Sequence, residues 1–83
     1  MNESIHFLAM LQERLIPRKW VARTLEEPDR VDEPGDGTKH FMRQIPDHEN
    51  RWLRVVVNVT EDPHKLVTAF FDRRLGRRLG RKP

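Results

Sequence analysis

The densest group of residues able to do chemistry lies at the carboxyl-terminal end of the chain. Residues 72–83 carry six basic side chains against the single acid Asp72, a net charge of +5, whereas the rest of the chain is net negative. A basic segment of this density attracts phosphate groups or an acidic surface. The alternative is a disordered terminus whose charge serves solubility. The six basic residues are Arg73, Arg74, Arg77, Arg78, Arg81 and Lys82.

Histidine and arginine are the other side chains with useful chemistry. Histidine exchanges protons near neutral pH, and the planar fork of arginine binds phosphate in two places. The chain has no cysteine, and its four histidines lack the helical spacing of a zinc pair. It also has no glycine-rich phosphate loop and no serine nucleophile elbow. We therefore expect neither a metal site nor a cofactor.

The length and composition of the chain limit what can position these residues. With 83 residues there is room for one domain, and a deep substrate cavity is not expected in a chain of this size. No apolar run approaches the ~18 residues of a membrane span, and no signal peptide opens the chain. These features predict a soluble, cytoplasmic protein that does not contact membranes.

Two helices are predicted at the amino-terminal end. Residues 4–15 place Phe7, Leu8, Leu11 and Leu15 on one face at helical spacing, with Asn2 or Ser4 as the cap. The second helix has Pro17 in its first turn and ends at Pro28.

Beyond residue 30 the hydrophobic period changes from helical to alternating. A short edge strand is predicted at Val31, followed by strands over residues 38–45, 51–59 and 65–71. The strand over 51–59 turns Leu53 and three valines to one side, and Trp52, Arg54, Val56 and Asn58 to the other. In the last strand the same alternation places Leu66 opposite Ala69.

The order of elements predicts an α+β fold. Two amino-terminal helices pack on one face of a three- to four-stranded antiparallel sheet, because short connections favour antiparallel neighbours. The other face is expected to be at least partly open, and it is then the broad surface left for binding. We predict a single domain over residues 1–74 and a basic, flexible tail over residues 75–83.

Several segments, taken in order, resemble a bacterial domain family of unknown function, number 4258. The resemblance begins with residues 6–16 (HFLAMLQERLI), continues through Trp20-Val21 and residues 25–29 (LEEPD), and ends with residues 52–57 (WLRVVV) and 66–74 (LVTAFFDRR). The resemblance as a whole covers roughly residues 5–74. The family typically has a histidine on its first helix, an Arg-Gly-Ile joint and a second helix that ends in an Asn-Pro-Asp-like stop.

This resemblance implies a RelE-like fold and a place beside the RelE-like and BrnT-like toxins of bacterial toxin–antitoxin pairs. Active toxins of that group cleave RNA without a metal ion. The family often has an arginine four residues after the helix histidine, where this chain has Met10. Arg14 lies one turn further along the same stripe, and we expect it to be the candidate substitute.

The implied chemistry selects the candidate site. Metal-free RNA cleavage needs a proton acceptor, a proton donor and cations that stabilise the charge on phosphorus. We predict His6 and Arg54 as catalytic residues. The reason for Arg54 is that a mid-strand arginine on an open sheet face has few structural reasons to be there. For His6, His40 and Thr68 the alternatives are a packed histidine, a solvated strand residue and a good strand former. The predicted substrate-binding residues are Arg14, His40, Thr68 and Arg74, assisted by the basic tail.

Three hypotheses remain open at this level. The first is an RNA-directed, toxin-type endoribonuclease that acts without metal, with RNA as substrate and an antitoxin protein as partner. The second is a non-catalytic module that binds nucleic acid or an acidic protein through the same scaffold and tail. The third is a folded domain whose partner is another protein. The Met10 departure favours the second and third.

Overall fold

A computed structural model describes residues 2–79 of the chain. Helices α1 (Ile5–Glu13) and α2 (Arg18–Glu26) come first. Strands β1 (Arg30–Asp32), β2 (Thr38–Ile45), β3 (Arg51–Asn58) and β4 (Lys65–Phe71) follow, with a 3₁₀ turn at Pro46–His48 between β2 and β3. The chain then forms a third helix, α3 (Arg73–Leu79). No helix within residues 2–79 is long and apolar enough to cross a membrane.

Local backbone chemistry accounts for both ends of α1. The side chain of Ser4 accepts a hydrogen bond from the Phe7 amide and so caps the amino terminus. At the other end Ile16 N–H donates to Leu11 O and Leu15 N–H donates to Gln12 O, which is the Schellman pattern. Leu15 takes the left-handed position of that pattern, with φ at 56°. Glycine is the residue for which this conformation is least costly.

The four strands form one antiparallel sheet in the order β1-β2-β3-β4. Opposite residues include Phe41 and Val55, and Met42 and Arg54, in the β2–β3 pair. The helix-facing side of the sheet is buried against α1 and α2 in one cluster. Its fully buried members include Leu53, Val55 and Val57. This confirms the predicted α+β architecture, with two amino-terminal helices packed on one face of an antiparallel sheet.

Strict alternation fails in β4. The β3–β4 register shifts between Val56 and Val57, so that Val56 opposes Thr68 while Val57 opposes Leu66. This bulge leaves Val67 about half exposed, at 49%. Leu66 and Ala69 therefore share the same buried cluster, although alternation placed them on opposite sides.

Helix α3 covers part of the second sheet face, which is the face opposite α1 and α2. Leu75 is 4% exposed and packs with Met42 and Trp52 in a small cluster of its own. The sequence analysis assigned residues 75–83 to a flexible tail, and the two glycines of that segment do weaken a helix. Leu75 and Leu79 do have the i, i+4 spacing of a helical face, and burial of Leu75 supplies the stabilisation that local propensity lacks. The domain boundary drawn at residue 74 falls inside α3, and residues 80–83 lie outside the described residues.

Candidate functional site

Arg54 is the centre of a polar network on the second sheet face. It lies in the middle of β3, between two residues that point into the helix-side core. Its Nε donates to Asp72 Oδ2 at 2.8 Å, and its Nη1 contacts His40 Nδ1 at 2.9 Å. The Arg54 and Asp72 side chains are only 18% and 11% exposed, so their ion pair is shielded from water. Arg54 is therefore fixed in position by one carboxylate and one imidazole.

The contacts of His40 fix its tautomer. A guanidinium only donates, so Nδ1 of His40 must be the acceptor and the ring is neutral with its proton on Nε2. That Nε2 lies 3.1 Å from the Thr38 hydroxyl, whose own hydrogen is directed at Asp36 Oδ1. Hydrogen bonds from the Thr38 hydroxyl and amide hold the pKa of Asp36 below its usual value. A continuous chain of donors and acceptors thus runs from Arg54 to Asp36.

Asp72 connects this network to α3. One carboxylate oxygen accepts from Arg54, and the other accepts from the Leu75 amide at 3.1 Å, as an amino-terminal cap does. Burial acts to raise the pKa of Asp72, but the bonds from Leu75 and Arg54 and the nearby positive charge together lower it. Asp72 is consequently an ionised group that holds the start of α3 against Arg54.

The arginines of α3 surround this point. An open surface depression, here called the Arg54 depression, lies beside the ion pair. Arg74 and Arg78 have exposed side chains and extend the positive charge outward from Arg54. Arg81 and Lys82 of the predicted basic tail lie outside the described residues. The residues lining the depression include His40, Arg54, Arg73, Arg74, Arg77 and Arg78.

Arg14 and Thr68 lie together elsewhere, between α1 and β4. Arg14 Nη1 donates to Ala69 O at 2.7 Å and to the Thr68 hydroxyl at 3.2 Å. The Thr68 hydroxyl in turn contacts Met10 Sδ at 3.2 Å. Because Arg14 satisfies a carbonyl on the edge strand β4, it has a structural role in tying α1 to the sheet.

His6 is on the same side of the sheet as Arg14. Its side chain is exposed on α1, whose neighbour Phe7 is buried in the core between the helices and the sheet. Arg54 extends from the opposite face. The structure therefore brings together Arg54, His40 and Arg74 of the predicted site residues, and it separates them from His6, Arg14 and Thr68.

Asp72 was missed as a site residue. The available signal was an acid directly after the last strand, three residues before an apolar position, which is the spacing of a helix cap. Within residues 2–79 no group of three or more histidine, aspartate and glutamate side chains is arranged to hold a metal ion. The site is thus built from arginine, histidine and one shielded carboxylate.

The chain belongs to the family described as domain of unknown function DUF4258, whose model matches residues 4–71. The match ends one residue before Asp72, so it includes Arg54 and His40 but not α3. The same comparisons found no match to this chain among curated proteins or among solved structures.

Proposed function

We propose that this protein is an RNA-directed member of its family that binds the sugar–phosphate backbone in the Arg54 depression and cleaves it as a toxin-type, RelE/BrnT-like endoribonuclease without a metal ion. The observation that carries the proposal is the contact between Arg54 and a neutral His40 beside the exposed arginines of α3. A phosphate ligand and a proton acceptor are then adjacent on a strongly basic surface.

The chemistry follows from what each side chain offers. A phosphate oxygen competes for Arg54 Nη1, and its binding frees Nδ1 of His40 to accept a proton. The 2′-oxygen of the substrate then bonds to phosphorus as its proton passes to Nδ1. The 5′-oxygen leaves with the electron pair of the broken P–O bond and takes a proton from water or from the protonated imidazole. Arg54 and Arg74 stabilise the added negative charge on phosphorus.

The catalytic role of His6 stays a prediction, and it concerns a different part of the surface from the Arg54 depression. With its side chain exposed on α1, on the other side of the sheet from Arg54, it does not share a phosphate with that residue. His40 takes the acid–base role that the sequence analysis gave to His6. A toxin-type protein also implies an antitoxin partner, which would be sought as a co-purifying product of a neighbouring gene.

A second function, a non-catalytic nucleic-acid-binding module, is favoured by one specific observation. Both ring nitrogens of His40 and two nitrogens of Arg54 already have protein partners. A site that binds phosphate through α3 alone leaves this network intact and has no free proton acceptor. The same scaffold then binds RNA without cutting it.

Cleavage and binding assays on one set of variants separate the two functions. The purified protein is incubated with single-stranded RNA in EDTA, and the products are analysed for a 2′,3′-cyclic phosphate end. The cleavage proposal predicts activity that survives EDTA and is lost in His40→Gln, which keeps an acceptor for Arg54. His64→Gln is the control, because His64 is exposed in the turn before β4.

A charge-matched pair of double variants tests where RNA binds. Arg74→Gln/Arg78→Gln removes two exposed arginines from α3, and Arg18→Gln/Arg23→Gln removes two from α2. The proposal predicts that the α3 double variant binds RNA at least tenfold more weakly than the wild type. The α2 double variant should bind RNA with little change in affinity. RNA that binds normally but is never cut supports the binding module. An equal loss of RNA affinity in the two double variants contradicts both functions.

A further inference from the structure

A second basic depression adjoins the Arg54 depression and shares part of α3 with it. We call it the Trp52 depression, and Arg51, Trp52 and Gly76 line it but do not line the first. Arg73 and Arg77 line both, one turn apart on α3. These two arginines therefore form a ridge between two neighbouring hollows. The lining of the Trp52 depression also includes Arg51, and that of the Arg54 depression also includes Arg54, Arg74 and Arg78.

The charges of the Trp52 depression are available to a ligand. Arg73 and Arg77 are exposed, and within the described part of the chain neither pairs with an acid. Arg51 contacts Glu49 at 2.9 Å, but those side chains are 45% and 69% exposed. An exposed ion pair of this kind contributes little and exchanges readily for a phosphate. Asp72, which also lines the hollow, is already occupied by Arg54 and the Leu75 amide.

Gly76 gives the depression its space. A methyl group at Gly76 would meet only Trp52 Cδ1, at 3.9 Å, which is an ordinary contact distance. Packing therefore does not require glycine, although glycine inside a helix costs about 1 kcal/mol relative to alanine. The residue leaves open room beside an indole edge, and the rim of that room is positive. Such a lining suits a nucleotide, with its flat base and its anionic phosphate.

We propose that the Trp52 depression is a second RNA subsite, which binds a nucleotide flanking the one in the Arg54 depression. This inference rests on the proposed RNA function and deepens it, because it defines the substrate as a strand that crosses the Arg73–Arg77 ridge. An α-helix with its side chains is about 10 Å wide. A stacked strand advances about 3.4 Å per nucleotide. Occupying both hollows therefore takes roughly three nucleotides, and a dinucleotide fills only one.

Substrate length and one arginine together test the second subsite. Binding of a uridine dinucleotide and a uridine hexanucleotide is measured by calorimetry for the wild type, Arg51→Gln and Arg23→Gln. The control is matched, because Arg23 is likewise an exposed arginine that contacts a glutamate, Glu27 at 3.5 Å. We expect Arg51→Gln to weaken hexanucleotide binding three- to tenfold and to leave dinucleotide binding unchanged. Arg23→Gln should change neither.

Salt dependence gives a second readout from the same proteins. Each phosphate contact on a single strand contributes about 0.7 to the slope of log affinity against log salt. Arg51→Gln should lower the hexanucleotide slope by about that amount, and Arg23→Gln should not. Equal effects of the two variants, or equal losses for the short and long RNA, overturn the second subsite. Failure of the wild type to bind either RNA overturns the proposed function instead.

Discussion

Replacing Asp72 with alanine removes two contacts at once, the ion pair with Arg54 and the cap on the Leu75 amide. Asparagine at the same position keeps an oxygen that can accept from Leu75 but carries no charge for Arg54. Comparison of the two variants therefore separates the cap from the ion pair. Asp47→Ala is the control, because Asp47 is an exposed acid in the 3₁₀ turn and no ion pair within residues 2–79 includes it.

The expected loss of stability follows from the burial of the pair. A lost helix cap costs about 1 kcal/mol. Breaking an exposed ion pair costs about 0–1 kcal/mol, and breaking a fully buried one costs about 3–5 kcal/mol. With side chains 18% and 11% exposed, the Arg54–Asp72 pair lies between these limits, and we take about 2 kcal/mol. Asp72→Ala should therefore lose about 3 kcal/mol and Asp72→Asn about 2 kcal/mol.

Urea unfolding followed by tryptophan fluorescence measures these differences, since Trp52 is buried beside Leu75. A domain of this size has roughly 4–12 kcal/mol of stability in total, so a loss of this size is readily resolved. Asp47→Ala should stay within about 0.5 kcal/mol of the wild type. A loss below about 0.5 kcal/mol for Asp72→Ala would refute the shielded ion pair, and equal losses for both Asp72 variants would refute the cap.

The same pair makes stability depend on pH in a defined direction. Because the folded-state pKa of Asp72 is lowered, its contribution is complete above the unfolded value of about 3.9 and is lost as the pH falls through the folded pKa. The stability difference between wild type and Asp72→Asn should therefore shrink below about pH 4. The pKa of Asp36 is also lowered, and both proteins contain this residue. Its contribution therefore cancels when the stability of the variant is subtracted from that of the wild type.

Three further substitutions test the helix ends and α3. Leu15→Gly should stabilise the protein by about 0.5–1 kcal/mol in urea unfolding, because Leu15 has positive φ and is 83% exposed, whereas Leu15→Ala should change little. Leu75→Ala should cost about 2–3 kcal/mol and shift Trp52 fluorescence to the red, and an unchanged spectrum would contradict the docking of α3. Gly76→Ala should raise the thermal midpoint by several degrees, since it gains about 1 kcal/mol of helix propensity without a clash; a lower midpoint would contradict the open space beside Trp52.

The parts of the fold that depend on local periodicity could be predicted from the sequence. The alternating valines of β3 and the apolar positions Phe7 and Leu11 of α1 each follow from one segment's own pattern, and they are buried as expected. Leu15 was predicted on the same helix face, but it lies beyond the end of α1 and is 83% exposed. The turn from α1 into α2 depends on the positive φ of Leu15. This conformation could not be predicted, because nothing in the residue type indicates it. The bulge in β4 was likewise unpredictable, since it depends on how two strands align.

The site was only partly predictable, because its contacts join residues far apart in the chain. Arg54 was selected from its position in the strand, but its partner Asp72 is 18 residues away and meets it only after β3 and β4 have paired. Arg14 was selected as a substrate-binding residue, which stays a prediction, and nothing in the sequence indicated its hydrogen bond to the β4 carbonyl of Ala69. The basic surface could be predicted from charge and residue type. Which basic side chains lie around the Arg54 depression depends on tertiary contacts and could not be predicted.

The most direct test of the account is to map where RNA contacts the protein. Backbone amide resonances of the isotope-labelled protein are followed in two-dimensional NMR while a single-stranded uridine hexanucleotide is added. We predict shifts concentrated in α3 and around His40 and Arg54, with α1 and α2 largely unchanged. Shifts centred on α1 around His6, or no shifts at all, would contradict the proposal that RNA binds in the Arg54 depression.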